Sequence, residues 1–205
     1  MNNKKSGTKT LLMSVIMSAP GPLIIGLGLL VGQSSTQIAD FVRRSAELLG
    51  IIMAFIVYIV TTRNGVCDVE KKERLEKFSN IFVGSMMCLG GSLMLLLAFT
   101  SGHTDKGNVI PGLVIALLGV VANTLFWRKY SRLNKAEPNA IIAVQARLYR
   151  AKSLVDSCVS VALIAVAVFP ESKVSFYLDL IGSVIVAVYL IWCGIKTIME
   201  RLAKK

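Results

Sequence analysis

Residues 38–62 read IADFVRRSAELLGIIMAFIVYIVTT. At a rise of 1.5 Å per residue this is enough helix for one crossing of a roughly 30 Å hydrocarbon core. Five further apolar runs of similar length follow or precede it, at about 11–31, 81–100, 109–127, 147–169 and 176–199. The reading is therefore all-α: a six-transmembrane-helix bundle occupying residues 1–205 as a single domain. Pro20-Gly21-Pro22 interrupts the first run and is expected to kink or locally unwind it, which a helix bundle tolerates. That run follows Lys4, Lys5 and Lys9 as a signal peptide would. Its length and the lack of a clear small-residue cleavage site argue instead for a retained span.

The composition agrees. Hydrophobic residues make up 54% of the chain, charged residues 17%, and the mean hydropathy is +0.65. These values exclude a secreted disulfide scaffold, a disordered tail protein and an ordinary cytosolic enzyme. The net charge of +11 does not point to nucleic acid, because Lys and Arg gather in the loops of membrane proteins for topological reasons. Of the four cysteines, Cys88, Cys158 and Cys193 lie in apolar runs and Cys67 in a loop, with no zinc-type spacing.

Loop charge sets the orientation. The 63–78 connection carries Arg63, Lys71, Lys72, Arg74 and Lys77, and the 128–152 connection carries Arg128, Lys129, Arg132, Lys135, Arg147, Arg150 and Lys152. The alternate connections 32–37, 101–108 and 170–175 hold only Lys106 and Lys173. Both termini are thus expected to be cytoplasmic, in an integral protein of the plasma (inner) membrane. Glu70, Glu73 and Glu76 interleave with the lysines of the first basic connection, which suggests a short solvated helix with paired charges.

Charges within the spans need a partner or a purpose, since each costs at least about 2.5–3.5 kcal/mol on insertion scales. Arg43 and Glu47 are four residues apart on the second span, and Lys152 and Asp156 four apart on the fifth. Each pair therefore shares one helical face. Counted by helical rise, Glu47 lies roughly 15 Å and Asp156 roughly 20 Å below the outer ends of their spans, with Arg43 and Lys152 displaced toward opposite interfaces. Two carboxylates near the midplane suit a cation pathway, because their oxygens replace hydration and also carry protons. The alternative is that each helix neutralises itself through its own ion pair. Asn123, Tyr149 and Cys158 are further polar residues whose place is explained as well by helix packing.

At these residues the chain resembles the cation diffusion facilitator family of metal/proton antiporters. The family pattern on the second span is approximately Ala-Asp-x-x-[His/Asp]-x-x-x-Asp, and here Ala39, Asp40, Arg43 and Glu47 stand in it. On the fifth span, His-x-x-x-Asp followed by a serine is matched by Lys152, Asp156 and Ser160. The stretch from Lys71 to Glu76 resembles the family's Gly-His-x-Lys-x-Glu, and Asp179 the acid that opens the sixth span. The resemblance implies proton-coupled efflux of a divalent metal such as zinc, or of another cation, through an alternating-access site between spans two and five. Glu47 and Asp156 would be the cation ligands; Arg43, Lys152, Ser160, Asp179 and Asp40 would line or gate the site. It further implies a lipid bilayer, a cation and protons as partners, in a homodimer or a heterodimer with a related transporter.

Two departures bear on the mechanism. Arg43 and Lys152 put cations where the family has ligands, and Arg never deprotonates in a protein. The basic connection also lacks the family's His, and His103 falls in an external loop. The family's cytoplasmic C-terminal domain is expected to be absent. The rival reading is a degenerate, non-transporting homologue that serves as partner or regulatory subunit of a complete transporter. No enzymatic constellation is present.

Overall fold

Proline at position 20 divides the first apolar run. In the computed structural model, which describes residues 2–31, 35–62, 68–100, 110–168 and 173–203, α1 spans Asn2–Ser18 and α2 spans Pro20–Val31. The chain turns at Ala19, whose amide still bonds the Val15 carbonyl at 3.0 Å. Pro20 then opens α2 where a missing N–H costs nothing. The expected interruption is thus a break between two helices.

The remaining elements are α3 (Ser35–Thr62), α4 (Val69–Thr100), α5 (Ile110–Ala136), α6 (Ala140–Val168) and α7 (Lys173–Leu202). All are helices, and no strand occurs among the described residues. Among the described residues, three stretches are long and apolar enough to cross a membrane: Phe41–Thr62, Val69–Thr100 and Leu180–Leu202. Several helices outrun their apolar cores. The charged 70–77 segment is the first two turns of α4 rather than a separate helix, with Arg74 bonded to Glu70 at 2.6 Å. The fifth run begins at Ala140, seven residues before the expected Arg147. Asn139 explains this start: its side-chain oxygen accepts the Ile141 and Ile142 amides at 2.9 and 3.2 Å, an N-cap that ends the 137–139 turn.

Small residues decide which helices approach most closely. On Gly84, an added Cβ would lie 2.9 Å from the Gly194 carbonyl oxygen; on Gly91, 2.9 Å from that of Ala187; on Gly194, 2.7 Å from that of Gly84. These three glycines let the α4 and α7 backbones touch, the usual basis of helix association in lipid. Gly91→Val is accordingly expected to destabilise the fold by about 1–3 kcal/mol, because backbone cannot move aside as a side chain can. A lowered melting temperature in detergent checks this; an unchanged one would show that α4 and α7 can separate freely.

The core is lined by Leu11, Ile51, Met87, Tyr130, Tyr149 and Leu190, each at most 2% exposed. Large apolar side chains also cover the outside: Leu23, Ile24, Leu27, Leu118, Leu125 and Ile185 are all more than 60% exposed. A surface this apolar fits a bilayer. Arg147 on α6 clasps Glu200 on α7 through two bonds of 2.6 and 3.1 Å, and Thr124 on α5 meets Ser153 on α6 at 2.6 Å.

Candidate functional site

The break at Pro20 leaves a space against α3, α5 and α6. A cavity of about 460 Å³ opens there, lined among others by Pro22, Arg43, Glu47, Asn123, Lys152 and Asp156. Helical spacing accounts for each contribution. Arg43 and Glu47 share a face of α3, and Tyr149, Lys152, Asp156 and Val159 recur every three or four residues along α6.

The partners within the cavity differ from a simple intrahelical scheme. On α3, Arg43 Nη1 donates to Glu47 Oε1 at 3.4 Å, the expected i, i+4 pair. On α6, however, Lys152 does not pair with Asp156. Its Nζ reaches across to Glu47 Oε2 at 3.2 Å. Glu47, 7% exposed, is therefore held between two cations and ties α3 to α6. Lys152 Nζ also lies 5.3 Å from the centroid of the Tyr149 ring, a distance at which a cation is attracted to an aromatic face.

Asp156 is held from α5 instead. Asn123 Nδ2 donates to its Oδ2 at 2.6 Å. Gly119, one turn away on α5, makes room for the same carboxylate: a Cβ there would fall 2.6 Å from Oδ2. In the sequence, helix packing explains Asn123 as well as a place on the path does, and Gly119 carries no signal beyond its small size. Ser160 does not orient the carboxylate. Its Oγ donates to the Asp156 backbone carbonyl at 2.8 Å, a local helix bond. Cys158 faces Gly182 on α7, 3.7 Å from where its Cβ would be. The side chains of Asp40 and Asp179, together with Cys67 and His103, lie outside the described residues.

An aromatic layer borders the cavity, with Phe126 and Tyr149 among its lining. Phe126 and Tyr149 line up with Tyr130, with centroids 5.0 Å apart for Phe126–Tyr149 and 5.4 Å for Tyr130–Tyr149. Two serines of α1 anchor it: Ser14 bonds the Tyr130 hydroxyl at 2.8 Å, and Ser18 the Tyr149 hydroxyl at 3.3 Å.

Chemically, the described residues give the cavity two carboxylates and three cationic side chains, since Arg44 also lines it. No group of three or more His, Cys, Asp or Glu suited to a metal ion occurs among the described residues. Two acids supply oxygen ligands, and Lys152 is the one cation of the three able to release a proton. Comparison with curated proteins gives no match. The family model for the cation efflux transmembrane domain, however, matches residues 11–203. With a match over nearly its whole length, and apolar helices around a buried charged cavity, the chain belongs to the cation efflux family of membrane cation transporters.

Proposed function

We propose that this chain is a six-span, proton-coupled cation exporter whose transport site lies between α3 and α6, with both ends of the chain in the cytoplasm. The observation that carries the proposal is that Glu47 and Asp156, from different helices, line one cavity. The alternation of basic and charge-poor connections supports the orientation. A homodimer, or a heterodimer with a related transporter, in the plasma (inner) membrane is the working assembly.

Lys152 is the pivot of the mechanism. In the resting arrangement its ammonium neutralises Glu47, as a bound ion would. An arriving cation competes for the same carboxylate and displaces the tethered one. Asp156, one turn along α6, then completes the ion's oxygen shell. Return of Lys152 to Glu47 expels the cation on the far side, and protons carried by the carboxylates balance the exchange. A divalent metal such as zinc is the substrate class that the family implies.

The test is a panel of cations in proteoliposomes, comparing the parent with Asp156→Ala and Lys152→Ala. Loss of a charged oxygen ligand worth about 1.5–3 kcal/mol lowers affinity by about ten- to hundredfold in Asp156→Ala. Lys152→Ala is expected to alter ion affinity and the pH dependence of flux together. Unchanged flux and pH profile in Lys152→Ala would remove the displacement step.

A second reading has its own support. Arg43 and Lys152 both bond Glu47, so two tethered cations already hold the carboxylate that a divalent ion would need. On that reading the chain is the non-transporting partner of a complete transporter. Flux from purified protein alone in liposomes distinguishes the two.

A further inference from the structure

Buried hydroxyls in this fold are generally satisfied: Ser14, Thr61, Ser160 and Thr197 each find an acceptor within 2.8 Å. One group of polar side chains breaks that pattern. Ser79, Asn80 and Gln145 are at most 1% exposed, yet the Ser79 hydroxyl and both polar atoms of each amide have no hydrogen-bond partner among the described residues. Burying such groups unsatisfied forfeits their hydration with nothing in return, so they need a reason to be there.

Two independent registers put these residues at one depth. Gly50 of α3 packs on Val83 and Met86 of the antiparallel α4, which sets Asn80 level with about residues 53–56 of α3. The Lys152–Glu47 bond between α6 and α3 sets Gln145 level with Ala54. Through α7 the answer is the same. Gly84 meets Gly194 and Ile198, and Arg147 meets Glu200, so Asn80 and Arg147, two residues from Gln145, share the level of Glu200. Ala54 is seven residues beyond Glu47, about 10 Å along the helix axis. Gln145 also lies on the Lys152 face of α6, seven residues before it. One turn further out on α4, Glu76 has a buried carboxylate oxygen without a partner.

From this common depth on two helices that touch, α4 and α6, and from their unsatisfied polar atoms, we propose a second polar station on the cation's route, formed by Ser79, Asn80 and Gln145 with Glu76 at its mouth, between the central cavity and the cytoplasm. The proposal rests on the cation-pathway reading of Glu47 and Asp156. Its donors are neutral oxygens and one carboxylate, without thiolate or imidazole. That set suits a hard cation held loosely. The amide N–H groups need acceptors of their own, which water retained by the ion supplies. The station takes a partly hydrated cation and passes it to Glu47.

Single cysteines at the station test this without relying on flux. Asn80→Cys and Gln145→Cys are placed in a chain with its four native cysteines changed to alanine, reconstituted, and treated with a cationic, membrane-impermeant methanethiosulfonate. Leu148→Cys, at an apolar position 2% exposed, is the reference. Both station thiols are expected to react about tenfold faster than the reference, because reactivity follows access, and millimolar manganese chloride is expected to slow them. Reaction at the reference rate overturns the station. For a variant free of the thiol background, Asn80→Leu with Gln145→Met is expected to raise thermal stability while lowering flux about tenfold, since hydrophobic replacement removes the unpaired amides. Unchanged flux with raised stability overturns the station as well. If Glu47 and Asp156 variants transport normally, the central reading falls, while the labelling rates still decide whether the station admits water.

Discussion

Glu47→Gln is expected to be the most damaging single substitution in the chain, with both fold and flux affected. Its carboxylate takes one bond from Arg43 at 3.4 Å and one from Lys152 at 3.2 Å, and it is 7% exposed. Removing its charge takes from Lys152 the carboxylate that it bonds and from Arg43 one of its partners, and breaking a buried pair of this kind costs about 3–5 kcal/mol. The melting temperature in detergent should fall markedly and cation flux in proteoliposomes should disappear. A companion variant separates the two effects. Glu47→Gln with Lys152→Met removes one cation together with the anion, so much of the lost stability should return while transport stays absent. Recovery of both would mean that Glu47 holds α3 to α6 and has no part in ion binding. A single variant as stable as the parent would mean that the charge triad contributes nothing to the packing of those helices.

Arg43→His with Lys152→His is expected to produce the largest gain. The double variant exchanges two cations for two imidazoles beside two carboxylates, a donor set suited to tetrahedral zinc with bonds of about 2.0–2.1 Å. The positions are already apposed, since Lys152 reaches Glu47 directly and Asp156 lines the same cavity. Without metal, Glu47 loses both of its ion pairs, so the variant should be less stable than the parent. Zinc should then restore it. At a concentration about a hundred times Kd the linkage is about 2.7 kcal/mol, which is read as a zinc-dependent rise in melting temperature absent from the parent. If zinc neither binds nor shifts the transition, the four side chains do not converge as the cavity suggests. Comparison with Asp156→Ala in the same background then shows whether the fourth ligand is the one out of place.

Much of this molecule was legible from one dimension. The apolar runs gave the helices, and Pro20-Gly21-Pro22 marked the place where the first is broken. The i, i+4 spacing of Arg43 with Glu47, which allows an intrahelical pair, is matched by their bond. The same rule, applied to Lys152 and Asp156, did not. Spacing fixes only the angular position of a side chain on its own helix. A lysine long enough to reach several groups takes the partner that the neighbouring helix brings nearest, and here that is Glu47. Ser160 shows a related limit: a serine in step with Asp156 can bond either the carboxylate or the carbonyl four residues back, and it takes the carbonyl.

Asn123 and Gly119 lie in the apolar run 109–127, which has no charge, so its one hint is the polarity of Asn123, which helix packing explains as well. Their place became evident only when α5 was seen against α6, one donating to Asp156 and the other making room for it. The helix boundaries follow the same division. The apolar core of each run was readable, whereas the start of α6 at Ala140 depends on the Asn139 cap and on the tight 137–139 turn.

The sequence alone thus determined that the chain is helical and apolar enough for lipid, and which charged residues share a face, because hydropathy and the 3.6-residue period are properties of single helices. The tertiary structure decided which charges meet, which glycines admit a neighbour and which amides are stranded. Those depend on the register between helices, and register is set by side-chain shape and close backbone contact among residues far apart in the chain.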